Sequence, residues 1–145
     1  MTITSNADRR RVTIKQQPKI GEIGELSFVV TQQHAIDFAD GQMPAVLCTP
    51  WLIWFLEHAA REAMLPLLDD GESTVGVKLD LEHQAPTPLG QQVTCSARVI
   101  NTDGSLITFQ LDAHDQHERI ARGIHKLRVI NCDRFSSRVR AKTNS

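Results

Sequence analysis

The 145-residue chain lacks the features that mark membrane, secreted and metal-bound proteins. Its longest apolar runs are far shorter than the roughly 18–20 residues that cross a bilayer, and its N-terminus lacks the apolar core of a secretory signal. Cys48, Cys95 and Cys132 are odd in number and include no CxxC pair, which argues against a disulfide framework and against a zinc cluster. We therefore expect a cytoplasmic protein with no membrane contact, no metal and no cofactor.

Motifs that identify several common enzyme classes are also absent. The sequence contains no HExxH, no glycine-rich phosphate loop and no GxSxG elbow. Metalloprotease, nucleotide-binding and serine-hydrolase functions are therefore poor fits. His114 and His117 form an HxxH pair, but they flank a predicted turn, where solvated histidines are the better interpretation.

Composition and charge describe one globular domain with basic ends. With 41% hydrophobic and 23% charged residues, the chain has the makeup of a soluble globular protein. Residues 1–18 carry four arginines and lysines against one aspartate, and residues 134–145 carry four without an acidic residue. Because the net charge is only −1, the segment between them is acidic, which disfavours nucleic acid as a partner. We predict a flexible N-terminal arm (1–18), one domain (19–133) and a basic C-terminal tail (134–145) that could serve a polyanionic ligand.

The hydrophobic pattern predicts one strand, one helix and then four strands. Alternating apolar residues indicate a first strand at 21–30. Alternation resumes after the helix, where five residues are predicted to share one strand face: Val75, Val77, Leu79, Leu81 and His83. Three further strands are predicted at 93–100, 106–114 and 118–130. The expected fold class is therefore α+β, with one long helix against a curved antiparallel sheet.

The segment around Thr49 is the strongest local signal in the chain. Thr49 is a predicted N-cap, Pro50 suits the first helical position, and no further glycine or proline interrupts the helix before Pro66. Residues 51–56 are apolar on every side, whereas a surface helix carries only an apolar stripe. Such an enclosed helix implies either a sheet wrapped around it, or a sheet on one side and a second subunit on the other.

Three polar residues in apolar surroundings are candidates for chemistry. Glu57 follows the apolar run, where a buried carboxylate is costly unless paired; the structural alternative is an exposed position paired with Arg61 at i+4. His83 continues an apolar strand face and is either a packed core histidine or an acid–base group. Thr49 and Glu57 lie roughly 12 Å apart on one regular helix, which exceeds hydrogen-bond reach. Either the helix begins later, or the site combines groups from two subunits.

Four stretches of the chain occur in an order and spacing that are typical of one enzyme family. They are the Thr49-to-Glu57 spacing, residues 67–90, residues 105–125 and the basic segment 134–143. On these stretches the chain resembles the fluoroacetyl-CoA-thioesterase-like branch of the hotdog-fold thioesterases over about residues 20–143. The resemblance implies a hotdog dimer in which a sheet wraps a long helix and acyl-CoA thioesters are hydrolysed at the subunit interface. It places the family's catalytic threonine, glutamate and histidine on Thr49, Glu57 and His83.

The same resemblance identifies two candidate substrate-binding residues. The glycine near the bound thioester in the family falls on Gly76. The family's arginine two positions after the histidine that matches His125 has no counterpart, because Leu127 stands there and Arg128 follows. A one-residue offset on a strand turns a side chain to the opposite face. Arg128 is kept as a candidate for a substrate contact, but the specificity of the family's arginine is not carried over to it, so fluoroacetyl-CoA itself is not the substrate that we expect.

The resulting prediction is a thioesterase that releases free acid and CoA from a small or medium acyl-CoA at a dimer interface. Glu57 would either activate water as a general base or attack the carbonyl as a nucleophile, and both routes stay open. The alternatives are a non-catalytic acyl-CoA binding protein and a hotdog dehydratase or hydratase. The expected partners are acyl-CoA and further copies of the chain, as a homodimer or a higher homo-oligomer, with no nucleic acid.

Overall fold

The computed structural model describes residues 16–143. Residues 1–15, which are nearly all of the predicted N-terminal arm, and residues 144–145 lie outside the described residues. The described chain forms, in order, β1 (Ile23–Val29), α1 (Thr49–Met64), β2 (Glu72–His83), β3 (Gln92–Asp103), β4 (Leu106–His114), β5 (Arg119–Asn131) and α2 (Cys132–Thr143).

The five strands form one antiparallel sheet in the order β1-β3-β4-β5-β2. Strands β3, β4 and β5 are consecutive in the chain and lie in the centre, whereas β1 and β2, which precede and follow α1, form the two edges. The predicted α+β arrangement of one long helix and an antiparallel sheet is therefore confirmed. The outer edge of β2 pairs with no other described strand, which matters for the site below.

Helix α1 buries one face against the sheet. Its buried side chains recur at the three- and four-residue spacing of a single helix face: Leu52, Leu56, Ala59, Ala60 and Met64. Burial of each leucine or methionine side chain is worth about 1.5–3 kcal/mol. The opposite side of the helix is open, and Trp54 is 44% exposed. The sequence predicted either a sheet wrapped around the helix, or a sheet on one side and a second subunit on the other. In the single chain the sheet covers only one side of α1.

A β-bulge in β2 changes which side chains face α1. Two consecutive residues of β5 pair with Gly76 and Lys78, so Val77 is an extra residue in β2. The extra residue shifts the alternation of side chains by one position. Val75 therefore pairs with the exposed Arg128 and faces away from α1, whereas His83 faces the helix. The prediction that five alternating residues share one face is therefore wrong for Val75 and Val77. The same shift lets Gly76 and His83, an odd number of residues apart, both face α1.

The second helix, α2, contains the described part of the predicted basic tail. It runs from Cys132 to Thr143, and none of its side chains is buried. Asp133 lies in its first turn, and Arg140 and Lys142 lie in its last turn, an arrangement that complements the helix dipole. Within residues 16–143, no helix is both long and apolar enough to cross a bilayer.

Candidate active site

The first turn of α1 holds Thr49 beside His83. The helix begins at Thr49 and its N-cap is Cys48, so the predicted N-cap was one residue too late. Because the Thr49 hydroxyl does not cap the helix, it is available to another group, and its Oγ1 lies 2.8 Å from Nδ1 of His83 in a hydrogen bond. His83 is the last residue of β2, and the bulge at Val77 turns its ring toward the helix. We call these two residues the threonine–histidine pair.

Burial controls the protonation of His83. The half-buried position lowers the pKa of the imidazole from 6.5, and a backbone interaction with Ala85 opposes part of that effect. The second ring nitrogen, Nε2, is buried and has no hydrogen-bond partner within the described residues. A buried imidazole nitrogen without a protein partner is free to bond a ligand or water. The pair lies in a cleft with Ile36, Val46 and Leu47 among its walls.

Glu57 lies two turns further along α1, on its open side. The carboxylate is exposed in the single chain, as the structural alternative predicted. Its predicted ion pair with Arg61 is wrong, because Arg61 donates hydrogen bonds to Ser73 Oγ at 3.2 Å and Thr74 Oγ1 at 2.7 Å instead. Within residues 16–143, Glu57 forms no ion pair. A carboxylate that no cation neutralises is available to accept a proton or to attack a carbonyl.

Gly76 and His125 surround the Glu57 carboxylate. A Cβ atom on Gly76 would lie 2.8 Å from Oε1 of Glu57 and 3.4 Å from Cε1 of His125, so only glycine leaves all three in place. Two clefts of about 240 and 200 Å³ flank this point, and both are walled by the same three residues. We call Glu57, Gly76 and His125 the glutamate pocket.

His125 is a residue of this pocket that the sequence analysis did not select as a candidate for chemistry. It is 4% exposed, and its Nδ1 lies 3.0 Å from the carbonyl oxygen of Lys78 across the β2–β5 ladder. Burial lowers the pKa of the ring, although the Lys78 carbonyl and the nearby charge of Glu57 act in the opposite direction. The available signal was its match to a histidine of the family that the sequence resembles, whereas its pairing with Leu79 across the sheet depends on the unforeseen bulge.

The three predicted catalytic residues do not meet within one chain. Thr49 and His83 form one group and Glu57 belongs to another, in separate clefts. This arrangement agrees with the helix geometry, which separates Thr49 from Glu57 by roughly 12 Å. Because α1 begins at Thr49 and not later, the first of the two predicted explanations is wrong. The second, a site shared between two subunits, stays a prediction.

Arg128 lies apart from both groups. Its Nη1 lies 3.3 Å from Ser105 Oγ, in a cleft of about 240 Å³ whose walls include Arg134, Phe135 and Arg138 of α2. Three guanidinium groups around one cleft suit an anionic ligand. Within residues 16–143, by contrast, no group of three histidine, cysteine or carboxylate side chains is arranged to hold a metal ion. The substrate contact predicted for Arg128 stays a prediction.

Comparison with known proteins identifies relatives of the chain. A family model described as fluoroacetyl-CoA-specific thioesterase matches residues 30–133. The fluoroacetyl-CoA thioesterase of Streptantibioticus cattleyicolor is 30% identical over 138 residues, which cover 90% of this chain and 98% of that protein. A mutant fluoroacetyl-CoA-specific thioesterase crystal structure matches with a TM-score of 0.81 at 30% identity, over 88% of this chain and 99% of the other. A thioesterase-superfamily protein of Thermus thermophilus shares the fold, with a TM-score of 0.81 at 23% identity over 89% and 96% of the two chains.

Proposed function

Because the chain belongs to the fluoroacetyl-CoA-specific thioesterase family, we propose that it hydrolyses a small or medium acyl-CoA to the free acid and CoA. The observation that carries this function is the 2.8 Å hydrogen bond between Thr49 and His83 at the start of α1, together with a Glu57 carboxylate free of any cation. Fluoroacetyl-CoA is not the substrate proposed here, since Leu127 stands where the family's arginine is expected.

A homodimer is part of the proposal, and its interface is the free edge of β2. Val77 is 51% exposed and Leu79 is 36% exposed on this edge, beside the open side of α1 with Trp54. An unpaired strand that displays apolar side chains readily pairs with another strand. A second copy of the same strand is the simplest occupant, because a two-fold interface uses the same surface on both subunits.

This pairing would bring the two groups of the site together. The middle of the segment between Gly76 and His83 lies at Leu79 and Asp80. In this arrangement the β2 strands of the two subunits would pair antiparallel about a two-fold axis near these residues. Gly76 of one subunit would then lie beside the end of the other β2 strand, next to the partner subunit's His83. Glu57 adjoins Gly76, so each glutamate pocket would lie beside a threonine–histidine pair of the other subunit.

The glutamate pocket and the threonine–histidine pair have different roles in the proposed reaction. The thioester carbonyl lies at the first turn of α1, where backbone N–H groups and the Gly76 N–H stabilise the developing oxyanion. Glu57 removes a proton from water, or attacks the carbonyl carbon directly to give a mixed anhydride that water then cleaves. The C–S bond breaks and the leaving thiolate keeps the bonding electron pair. A ring N–H of the neutral His83 orients the thiolate through a hydrogen bond, and the thiolate takes its proton from solvent. Thr49 orients the carbonyl or the water.

A panel of acyl-CoA thioesters tests the proposed activity through release of the CoA thiol. We expect turnover of short or medium acyl chains, with a lower kcat/KM for long ones. Binding of acyl-CoA without thiol release with any member would identify a non-catalytic binding protein instead. Conversion of enoyl- or 3-hydroxyacyl-CoA without thiol release would identify a dehydratase or hydratase. Either outcome would overturn the proposal.

The arginine cleft beside α2 is proposed to bind the phosphates of CoA. Arg128, Arg134 and Arg138 supply the positive charge, and their attraction for phosphate weakens as salt increases. An acyl-pantetheine thioester carries the same acyl group without the nucleotide phosphates. We expect the double variant Arg134→Gln/Arg138→Gln to raise KM for acyl-CoA at low salt and to leave KM for acyl-pantetheine unchanged. Equal effects on both substrates would contradict this role.

The cytoplasm is the compartment that we propose for the protein. The three cysteines, Cys48, Cys95 and Cys132, are all free thiols. Burial raises the pKa of the Cys95 thiol to about 12, so that this residue packs as an inert apolar group. Unpaired thiols are typical of proteins that work in a reducing compartment.

A further inference from the structure

The protonation state of His125 follows from its hydrogen bond. A backbone carbonyl oxygen accepts and cannot donate, so the bond between His125 Nδ1 and the Lys78 oxygen requires the proton on Nδ1. In the neutral ring the other nitrogen, Nε2, then carries a lone pair and is an acceptor. Burial disfavours the charged ring, which keeps Nε2 in this acceptor form near neutral pH.

The acceptor on His125 has no protein donor. Nε2 is buried and makes no hydrogen bond within the described residues, and His125 as a whole is 4% exposed. A buried acceptor left without a donor costs free energy, so such atoms usually bond water or a ligand. Both clefts beside Gly76 have His125 and Glu57 in their walls, so a molecule placed there can contact the two residues together.

We propose that His125 Nε2 holds the attacking water together with Glu57, an inference that rests on the proposed thioesterase function. The water donates one O–H to the Glu57 carboxylate and the other to His125 Nε2. Its remaining lone pairs are then free to point at the thioester carbonyl. When the water oxygen bonds to the carbonyl carbon, Glu57 takes the first proton. The C–S bond breaks, the thiolate leaves with the bonding electron pair, and the proton on the oxygen held by His125 is retained in the product acid or lost to solvent.

This role decides between the two routes for Glu57. An acceptor such as Nε2 is satisfied only by a hydrogen-bond donor, and water is a donor that the reaction supplies. If Glu57 attacked the carbonyl itself, the carboxylate oxygen that attacks would have to give up the water shared with Nε2. The geometry therefore favours general-base catalysis by Glu57 over a mixed anhydride.

Two amide variants of His125 separate water binding from a purely structural role. His125→Asn places its amide near the Nδ1 position, so the bond to the Lys78 carbonyl is kept and the Nε2 acceptor is lost. His125→Gln places its amide near the Nε2 position, so an acceptor for water is kept and the Lys78 bond is lost. We expect His125→Asn to lower kcat about 10²-fold with little change in KM, and His125→Gln to retain most of the activity.

The reverse order of the two variants would overturn the proposal, since it would show that only the bond to Lys78 matters. Wild-type activity in His125→Asn would overturn it as well. A wild-type protein without thioesterase activity would instead refute the proposed function itself, which keeps the two failures distinct. Urea unfolding of each variant identifies any loss of folded protein.

A single turnover in ¹⁸O-water gives an independent measurement that needs no variant. Direct attack by water places the label in the product acid and leaves the Glu57 peptide unlabelled, which is the expected result. Because an anhydride cleaved at its acyl carbonyl gives the same pattern, the turnover is repeated with hydroxylamine, which would convert an anhydride of Glu57 to a hydroxamate that the same digest detects. Label in the Glu57 carboxylate, read by mass spectrometry of the digested protein, would show that the glutamate had formed an anhydride. It would overturn the role of His125 without affecting the thioesterase assignment.

Discussion

The threonine–histidine pair and the glutamate pocket differ in how far one chain completes them. Thr49 and His83 already contact each other through a 2.8 Å hydrogen bond, and burial has already shifted the pKa of the histidine. Glu57, by contrast, is exposed and without an ion pair in the described chain, and the His125 nitrogen beside it has no donor. Folding of a single chain therefore assembles the threonine–histidine pair, whereas within the described residues it leaves Glu57 without an ion pair and Nε2 of His125 without a donor.

The difference has a physical reason. A carboxylate is costly to bury in a monomer unless hydrogen bonds or a cation compensate for its lost hydration. Glu57 is accordingly exposed to water on the open side of α1 in the single chain, and the proposed dimer would close the pocket around it. A neutral pair such as Thr49 and His83 carries a much smaller desolvation cost, so a single chain can preassemble it.

Removal of the Glu57 charge should have the largest effect, because the proposed reaction needs it as a base. We expect Glu57→Gln to lower kcat/KM by about 10²–10⁴-fold with the best acyl-CoA substrate, measured by thiol release. Glu62→Gln is the matched control, since Glu62 is exposed on the same helix and lines neither cleft beside Gly76. Comparable activities in the two variants would remove Glu57 from the mechanism.

Mixed dimers test directly whether the two groups come from different subunits. If they do, a dimer of one Glu57→Gln chain and one His83→Ala chain has one intact site. Such dimers, isolated with two different affinity tags, should regain about half of the wild-type rate although both parents are nearly inactive.

The control for this experiment is a mixed dimer of Thr49→Ala and His83→Ala chains. Both substitutions lie in the threonine–histidine pair, so each site keeps one defect and no activity should return. Failure of Glu57→Gln and His83→Ala to complement each other would place the whole site within one chain. Rescue in the control would instead show that Thr49 and His83 of one site come from different subunits, against their hydrogen bond within one chain.

Local sequence patterns predict most of the helices and strands, but they predict little of the strand register and of the contacts between elements. The helix was predicted because Thr49 and Pro50 begin a long segment free of glycine and proline, and it ends at Met64, two residues before Pro66. The bulge was missed because Val75 and Val77 are apolar in either register, so alternation does not reveal an extra residue.

The candidate site shows the same limit. Glu57 and Arg61 satisfy the i+4 rule, yet Arg61 bonds two β2 hydroxyls that are distant in sequence and adjacent only in the fold. His125 was not selected as a candidate, since its bond to the Lys78 carbonyl spans 47 residues and is invisible to local spacing. Local spacing predicts contacts within an element, whereas these contacts depend on strand register.

A methyl group on Gly76 should reduce activity less than the Glu57 and His83 substitutions do. The added Cβ of Gly76→Ala would lie 2.8 Å from Glu57 Oε1, and the exposed glutamate can move away without disturbing the core. We expect kcat to fall about tenfold through misplacement of the carboxylate, while the free energy of unfolding changes by less than about 1 kcal/mol. Gly41→Ala is the control, because a Cβ there meets no atom within 4 Å. Equal kcat values would show that the position of Glu57 is not critical.

The pH dependence of stability should give the smallest effect, and it involves one histidine from each group. Burial holds the pKa of His83 and of His125 below 6.5, so the unfolded chain binds more protons than the folded chain in that pH range. Stability therefore rises with pH there. The contribution is fully present above pH 6.5 and is lost as the pH falls through the folded pKa values. We expect a lower free energy of unfolding in urea at about pH 5.5 than at about pH 7.5.

Substitution of His83 or His125 should make the free energy of unfolding less dependent on pH, whereas substitution of an exposed histidine should not. His83→Gln eliminates one ring that must charge on unfolding, and His117→Gln in the exposed β4–β5 turn serves as the control. Because His83 and His125 lie in separate groups without a shared hydrogen bond, their contributions should add, and the double variant His83→Gln/His125→Gln should be flatter than either. A marked departure from additivity would mean that the two groups are already coupled within one chain, before any second subunit arrives.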